Sequence, residues 1–165
     1  MVGSREGTQT MFETIAWASD GSELADKALE HVRTLAGIHR SRIVAVHVNE
    51  LLTGPFGGAP LLADETEIED KLAGQVDDLC AAGFDARLEV RTGGQDVAKL
   101  LAEAADDVGA DLIVIGTHGR SGVAAAIVGS VARRLCHTSH RPVLVVPPAR
   151  NTEPADERAR HFATG

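Results

Sequence analysis

Strict alternation of short strand-like segments with amphipathic helical segments constrains the fold of this chain more than any other feature of its sequence. Five segments have the apolar runs or the polar and apolar alternation of β-strands, namely Thr14–Ser19, Arg42–Val48, Asp85–Arg91, Asp111–Ile115 and Pro142–Val146. Three stretches between them repeat apolar residues at helical spacing, and Ser130–Thr138 is predicted to be a fourth, short helix. This order predicts an α/β fold with a single doubly wound, Rossmann-like sheet of five parallel strands and helices on both faces.

The composition agrees with one globular domain of ordinary size. Of the 165 residues, 44% are hydrophobic, 24% are charged and only 3% are aromatic, so the core must consist mainly of aliphatic side chains. We expect the domain to span residues 12–148. The polar segment 1–11 and the apolar-poor segment 149–165 are expected to be flexible.

Charge and cysteine content argue against several classes of protein. A formal net charge of −8 leaves no basic surface for nucleic acid or for an anionic membrane. The two cysteines, Cys80 and Cys136, form no metal-binding or disulfide pattern. The N-terminus lacks the apolar stretch of a secretion signal, and no segment is long and apolar enough to span a membrane. These features predict a cytoplasmic protein.

A glycine-rich segment follows the fourth predicted strand. It lies at the carboxyl ends of the strands, where parallel sheets bind ligands. It reads Gly116-Thr117-His118-Gly119, then nine residues, then Gly129-Ser130. Glycine allows backbone amides to approach a ligand closely, and Gly129-Ser130 opens a predicted helix whose first amides attract a phosphate. The spacing matches neither the Walker loop, which needs a lysine before Ser or Thr, nor the dinucleotide fingerprint.

This spacing resembles the ATP-binding signature of the universal stress protein family. The flanking segments are also similar to that family: Ser19-Asp20-Gly21-Ser22 after the first strand, His47-Val48 at the end of the second, Ala110–Gly116, and Arg141–Pro147. The resemblance covers residues 12–148 and implies the strand order 3-2-1-4-5. It implies that ATP, with or without Mg²⁺, is the ligand, that Asp20 contacts the ribose and that the backbone of Val48 meets the adenine. The residues implied to hold or to line the ribose and phosphate end are Gly116, Thr117, His118, Gly119, Arg120, Gly129, Ser130 and Val131.

Several of these side chains have structural alternatives in the sequence. Asp20 precedes Glu23 by three positions, as in a capping box, although Ser22 could cap the first helix instead. His118 fits an exposed loop as well as a phosphate neighbour. Arg133 and Arg134 are more typical of exposed helix charges than of ligand contacts.

The resemblance implies a stress-related or regulatory module in which bound nucleotide biases a conformation or a partner contact. Three alternatives remain: a slow ATPase or autophosphorylating enzyme that uses Mg²⁺, a protein that binds AMP or cyclic AMP, and a dimeric scaffold without nucleotide. The apolar segment Pro142–Pro147 lies at one end of the implied strand order. Because an open hydrophobic edge favours association, we expect a homodimer through this strand.

Overall fold

A computed structural model of the chain describes residues 11–52, 61–62, 65–93, 96–119 and 128–148. The predicted flexible segments fall almost wholly outside these residues. Within the described part of the chain, no helix has the length and apolar character needed to cross a membrane.

The described elements follow the predicted alternation. The strands are β1 (Thr14–Ala18), β2 (Arg42–Leu52), β3 (Leu61–Leu62), β4 (Ala86–Gly93), β5 (Leu112–Gly116) and β6 (Val143–Val146). The helices are α1 (Glu23–His39), α2 (Thr66–Ala81), α3 (Val97–Asp107) and α4 (Ser130–Thr138).

Five of the strands form one parallel sheet in the order β4-β2-β1-β5-β6. Numbered among these parallel strands alone, the order is 3-2-1-4-5, so the predicted doubly wound sheet is confirmed. The chain runs outward in one direction through β1, β2 and β4 and in the other through β5 and β6. The order therefore reverses between β1 and β5, which is where open α/β sheets form a crevice.

A short hairpin at the end of β2 differs from the sequence-based prediction. The strand continues to Leu52 instead of ending at Val48, and its last residues pair antiparallel with β3 through Leu51↔Leu62 and Leu52↔Leu61. The predicted strands include none between Val48 and Asp85. Antiparallel strands can be joined by a short connection, whereas parallel strands need a crossover connection.

Side chains of the central strands alternate between two apolar layers. Ile15 and Trp17 point to the layer formed with α1 and α2, whereas Ala16 and Ala18 point to the layer formed with α3 and α4. All five residues of β1 are buried. The small alanines leave room on the second side of the sheet, and the candidate site lies on that side.

Candidate functional site

A cavity of about 660 Å³ lies at the carboxyl ends of β1, β2 and β5, beside the point where the strand order reverses. Nine of the ten residues predicted for the site line it, namely Asp20, Val48, Gly116, Thr117, His118, Gly119, Gly129, Ser130 and Val131. Arg120 lies outside the described residues. Residues from three loops that are distant in sequence are thus brought together. The volume of the cavity is in the range of small-molecule sites, about 300–1,000 Å³.

The loop between β1 and α1 presents Asp20 to this cavity. Ser22 is the N-cap of α1, and its hydroxyl accepts a hydrogen bond from the amide of Ala25 at 3.3 Å. Asp20 Oδ1 accepts a hydrogen bond from the amide of Ser22 at 3.1 Å. The capping role therefore belongs to Ser22, and the Asp20 carboxylate instead closes the turn that precedes the cap.

Each of the three signature glycines lies where a side chain would collide with a neighbour. A Cβ on Gly116 would come within 3.1 Å of the carbonyl oxygen of Leu24. A Cβ on Gly119 would overlap the carboxylate of Asp20, and one on Gly129 would come within 2.7 Å of the Thr117 carbonyl oxygen. Glycine at these positions thus allows the loop after β5 to pack closely against α1, against the Asp20 turn and against its own backbone.

The N-terminus of α4 forms one wall of the cavity. The Gly129 amide donates to the carbonyl of Thr117 at 2.7 Å, and the first hydrogen bond within the helix runs from the Arg133 amide to the Gly129 carbonyl at 3.0 Å. The amides of Ser130, Val131 and Ala132 precede that bond, so they have no acceptor within the helix. No side chain of the described residues caps the helix at Gly129. These amides and the helix dipole favour an anion at this wall.

His118 lies on the same loop and contacts its neighbour. Its Nδ1 is 3.1 Å from the hydroxyl oxygen of Thr117, and both residues line the cavity. This contact orients the imidazole and places His118 at the site instead of in an outlying loop.

The strands and α3 contribute a mainly apolar part of the lining. It consists of Ala18, Val48, Val97, Leu101 and Ile115, which come from three strands and from α3. A cavity that combines apolar side chains with free helix amides suits a ligand with a flat, weakly polar end and an anionic end. Val97 and Leu101 belong to the apolar stripe of α3, and periodicity alone does not distinguish a core position from one that faces a cavity.

A buried polar pair underlies the Asp20 turn and was not predicted as part of the site. The His47 side chain is 1% exposed and that of Glu65 is 4% exposed, and Nε2 lies 2.7 Å from Oε2. His47 Nδ1 donates to the carbonyl of Ser19 at 2.9 Å, since a carbonyl oxygen can only accept. The pair therefore links β2 to the N-terminus of α2. The buried histidine at the end of an apolar strand was its only signal in the sequence.

Comparison with known proteins assigns the chain to a family. The model of the universal stress protein family matches residues 11–147. The universal stress protein Sll1654 of Synechocystis is 30% identical over 88% of this chain and 92% of its own length. Universal stress protein MJ0577 of Methanocaldococcus jannaschii is 27% identical over 82% of this chain and 95% of its own length.

Solved structures agree with this assignment. A universal stress protein family member from Burkholderia pseudomallei superposes with a TM-score of 0.64 at 30% identity, covering 84% of this chain and 98% of the other. The Archaeoglobus fulgidus universal stress protein in complex with dAMP gives 0.59 at 26% identity, covering 82% and 98%. A universal stress protein in complex with cAMP gives 0.56 at 25% identity, covering 82% and 96%. This chain belongs to the universal stress protein family.

Proposed function

We propose that this chain is an ATP-binding regulatory module of the universal stress protein family. The observation that carries the proposal is the meeting of the Asp20 turn, the end of β2 and the first turn of α4 around one cavity. Ligand occupancy would tie these three elements together and so bias a conformation or a partner contact. The nucleotide would act as a signal instead of being consumed.

Each part of an adenosine phosphate has a matching surface in the cavity. The apolar wall beside Val48 and Ile115 suits the adenine ring, and the Asp20 carboxylate is an acceptor for the ribose hydroxyls. The amides of Ser130 to Ala132 and the Ser130 hydroxyl are donors for phosphate oxygens. The amide of Gly129 is already bound to Thr117, so the first-turn amides, and not that of Gly129, would contact the phosphate.

Two relatives support an adenine nucleotide as the ligand class. The structures in complex with cAMP and with dAMP are 25% and 26% identical to this chain and share its fold. AMP and cyclic AMP are therefore the alternative ligands to ATP, since they differ from it only at the phosphate end. Binding measurements with this chain must rank them.

Slow hydrolysis or autophosphorylation is the alternative activity. Phosphoryl transfer usually depends on Mg²⁺ and on cations placed around the phosphates. The described residues lining the cavity include two carboxylates, Asp20 and Glu50, that could approach a magnesium ion, but no lysine. Phosphate release from ATP with and without Mg²⁺, compared between the wild type and Asp20→Asn, tests this activity. Release at the rate of protein-free ATP would contradict it.

The experiment for the main proposal combines mass spectrometry with calorimetry. Native mass spectrometry of the freshly purified protein identifies any bound nucleotide, and titration with ATP, ADP, AMP and cyclic AMP gives the dissociation constants. Asp20→Asn should weaken binding of every ribonucleotide, whereas Glu23→Gln, on an exposed residue outside the cavity, should not. Absence of binding by all four nucleotides to the nucleotide-free wild type would refute the proposal.

We also propose a homodimer through Pro142–Pro147. β6 is an edge strand among the described strands, and the Leu144 side chain on it is a large, exposed apolar group with 36% of its surface accessible. Pairing with a second copy would cover this edge. Light scattering at micromolar concentration should give a dimer mass for the wild type and a monomer mass for Leu144→Arg. A monomeric wild type would contradict the proposal.

A further inference from the structure

Two adjacent arginines of α4 have different surroundings. Arg134 forms an ion pair with Asp96, with Nη2 and Oδ2 2.6 Å apart, and is not among the residues that line the cavity. Arg133 lines the cavity itself. The sequence gives no reason to separate the two, but in the structure Arg134 is engaged by the Asp96 carboxylate and Arg133 is the one that lines the cavity.

No described residue forms an ion pair with Arg133, although Asp20 and Glu50 line the same cavity. A cation in the first turn of a helix is also disfavoured by the positive end of the helix dipole. Among the groups that line the cavity, Arg133 and the amides of Ser130 to Ala132 are therefore the ones that favour an anion.

The position of Arg133 suits a contact beyond the first phosphate. It follows Gly129 by four residues, so its side chain projects from nearly the same face of the helix and leans toward the N-terminus. The first-turn amides are close to the helix axis and suit one phosphoryl group. A guanidinium on a long side chain reaches farther and can bind a second group through two parallel hydrogen bonds.

We infer that Arg133 makes this cavity selective for nucleotides with more than one phosphate, so that ADP and ATP bind more tightly than AMP and cyclic AMP. This inference rests on the proposed function, since it concerns the same cavity. It goes beyond that function because it assigns the discrimination to one side chain of this chain.

The test is calorimetric titration with adenosine, AMP, ADP and ATP at fixed ionic strength, using the wild type, Arg133→Gln and the matched control Arg134→Gln. In the wild type the affinity should rise from AMP to ADP and ATP. Because a charge-assisted hydrogen bond at a partly exposed site is lost, Arg133→Gln should weaken ADP and ATP binding about five- to twentyfold. It should change AMP and adenosine binding by no more than about twofold.

The control and a rescue variant separate a ligand contact from a general charge effect. Arg134→Gln removes the same formal charge one residue away and should leave the preference for ADP and ATP within about twofold of the wild type. Arg133→Lys keeps a point charge but not the planar fork, so it should recover part of the preference. Both arginines are exposed, and circular dichroism should show that all variants are folded.

Two results overturn the inference while the proposed function stands: an Arg133→Gln protein with the wild-type preference for ADP and ATP, or equal losses in the two glutamine variants. A wild type that binds no adenine nucleotide refutes the proposed function itself. The two failures are therefore distinguishable in one set of titrations.

Discussion

Truncation of Glu65 to alanine should destabilise this protein more than removal of any exposed ion-pair carboxylate. The carboxylate lies 2.7 Å from His47 Nε2, and both side chains are almost fully buried. Glu65 is the N-cap residue of α2, but its side chain makes no capping hydrogen bond, so the truncation removes no helix cap. Removing one partner of a buried pair costs about 3–5 kcal/mol, because the other polar group stays in the interior without its partner.

The assay is thermal and urea denaturation of the wild type, Glu65→Ala, Glu65→Gln and the control Asp106→Ala. For a domain of this size the expected loss corresponds to a fall in Tm of roughly 10–15 °C. Glutamine keeps a hydrogen-bonding group in place, so its cost should be about 1–2 kcal/mol. Asp106 pairs with Arg141 at the surface, where both side chains are more than a third exposed, and its removal should cost about 0–1 kcal/mol.

Equal Tm values for Glu65→Ala and Asp106→Ala would refute this reasoning. That result would mean that Glu65 is exposed to water in solution or that His47 finds another partner. A large loss in Glu65→Ala together with weakened nucleotide binding in Glu65→Gln would extend the argument. It would show that the pair also supports the Asp20 turn through the carbonyl of Ser19, which accepts from His47 at 2.9 Å.

Substitutions at three further positions test the local geometry. Ser22→Ala removes the cap of α1 and should cost about 1 kcal/mol in urea denaturation, whereas Ser22→Gly should cost only a few tenths; equal losses would contradict the capping role. Gly129→Ala brings a Cβ to 2.7 Å from the Thr117 carbonyl oxygen, so stability should fall by about 1–3 kcal/mol, and an unchanged Tm would contradict that close approach. Trp17→Phe removes the indole donor that binds the carbonyl of Ala25 at 3.0 Å and leaves a smaller ring in a fully buried site, so the unfolding free energy should fall by about 1–3 kcal/mol in the same assay, with no change arguing against both the bond and the packing.

The parallel sheet could be predicted from the sequence because its evidence is local. Buried strands such as Leu112–Gly116 are continuous apolar runs, and each helix shows its apolar stripe within a few turns. The hairpin between β2 and β3 could not be predicted in the same way. It depends on Leu51 and Leu52 meeting Leu62 and Leu61, and no short turn motif marks that pairing.

Contacts between side chains that are distant in the sequence could not be predicted either. His47 and Glu65 are 18 residues apart, and Arg134 and Asp96 are 38 apart. The helical pattern predicts that Arg133 and Arg134 are both exposed charges and does not distinguish between them. Only the packing of α4 against α3 gives one of them a carboxylate partner and leaves the other in the cavity wall.

Substitutions of the signature glycines affect the folding of the loop as well as ligand binding. Gly116, Gly119 and Gly129 each lie against protein atoms, and the Gly129 amide is bound to Thr117. A side chain at Gly129 would strain the loop whether or not a nucleotide binds, because the atom that it would meet at 2.7 Å is a backbone oxygen. Gly129→Ala would therefore change stability as well as binding, and a loss of binding in that variant would not identify a ligand contact. Exposed or cavity-facing side chains that the fold does not require, above all Arg133 compared with Arg134, provide the test that separates recognition from folding.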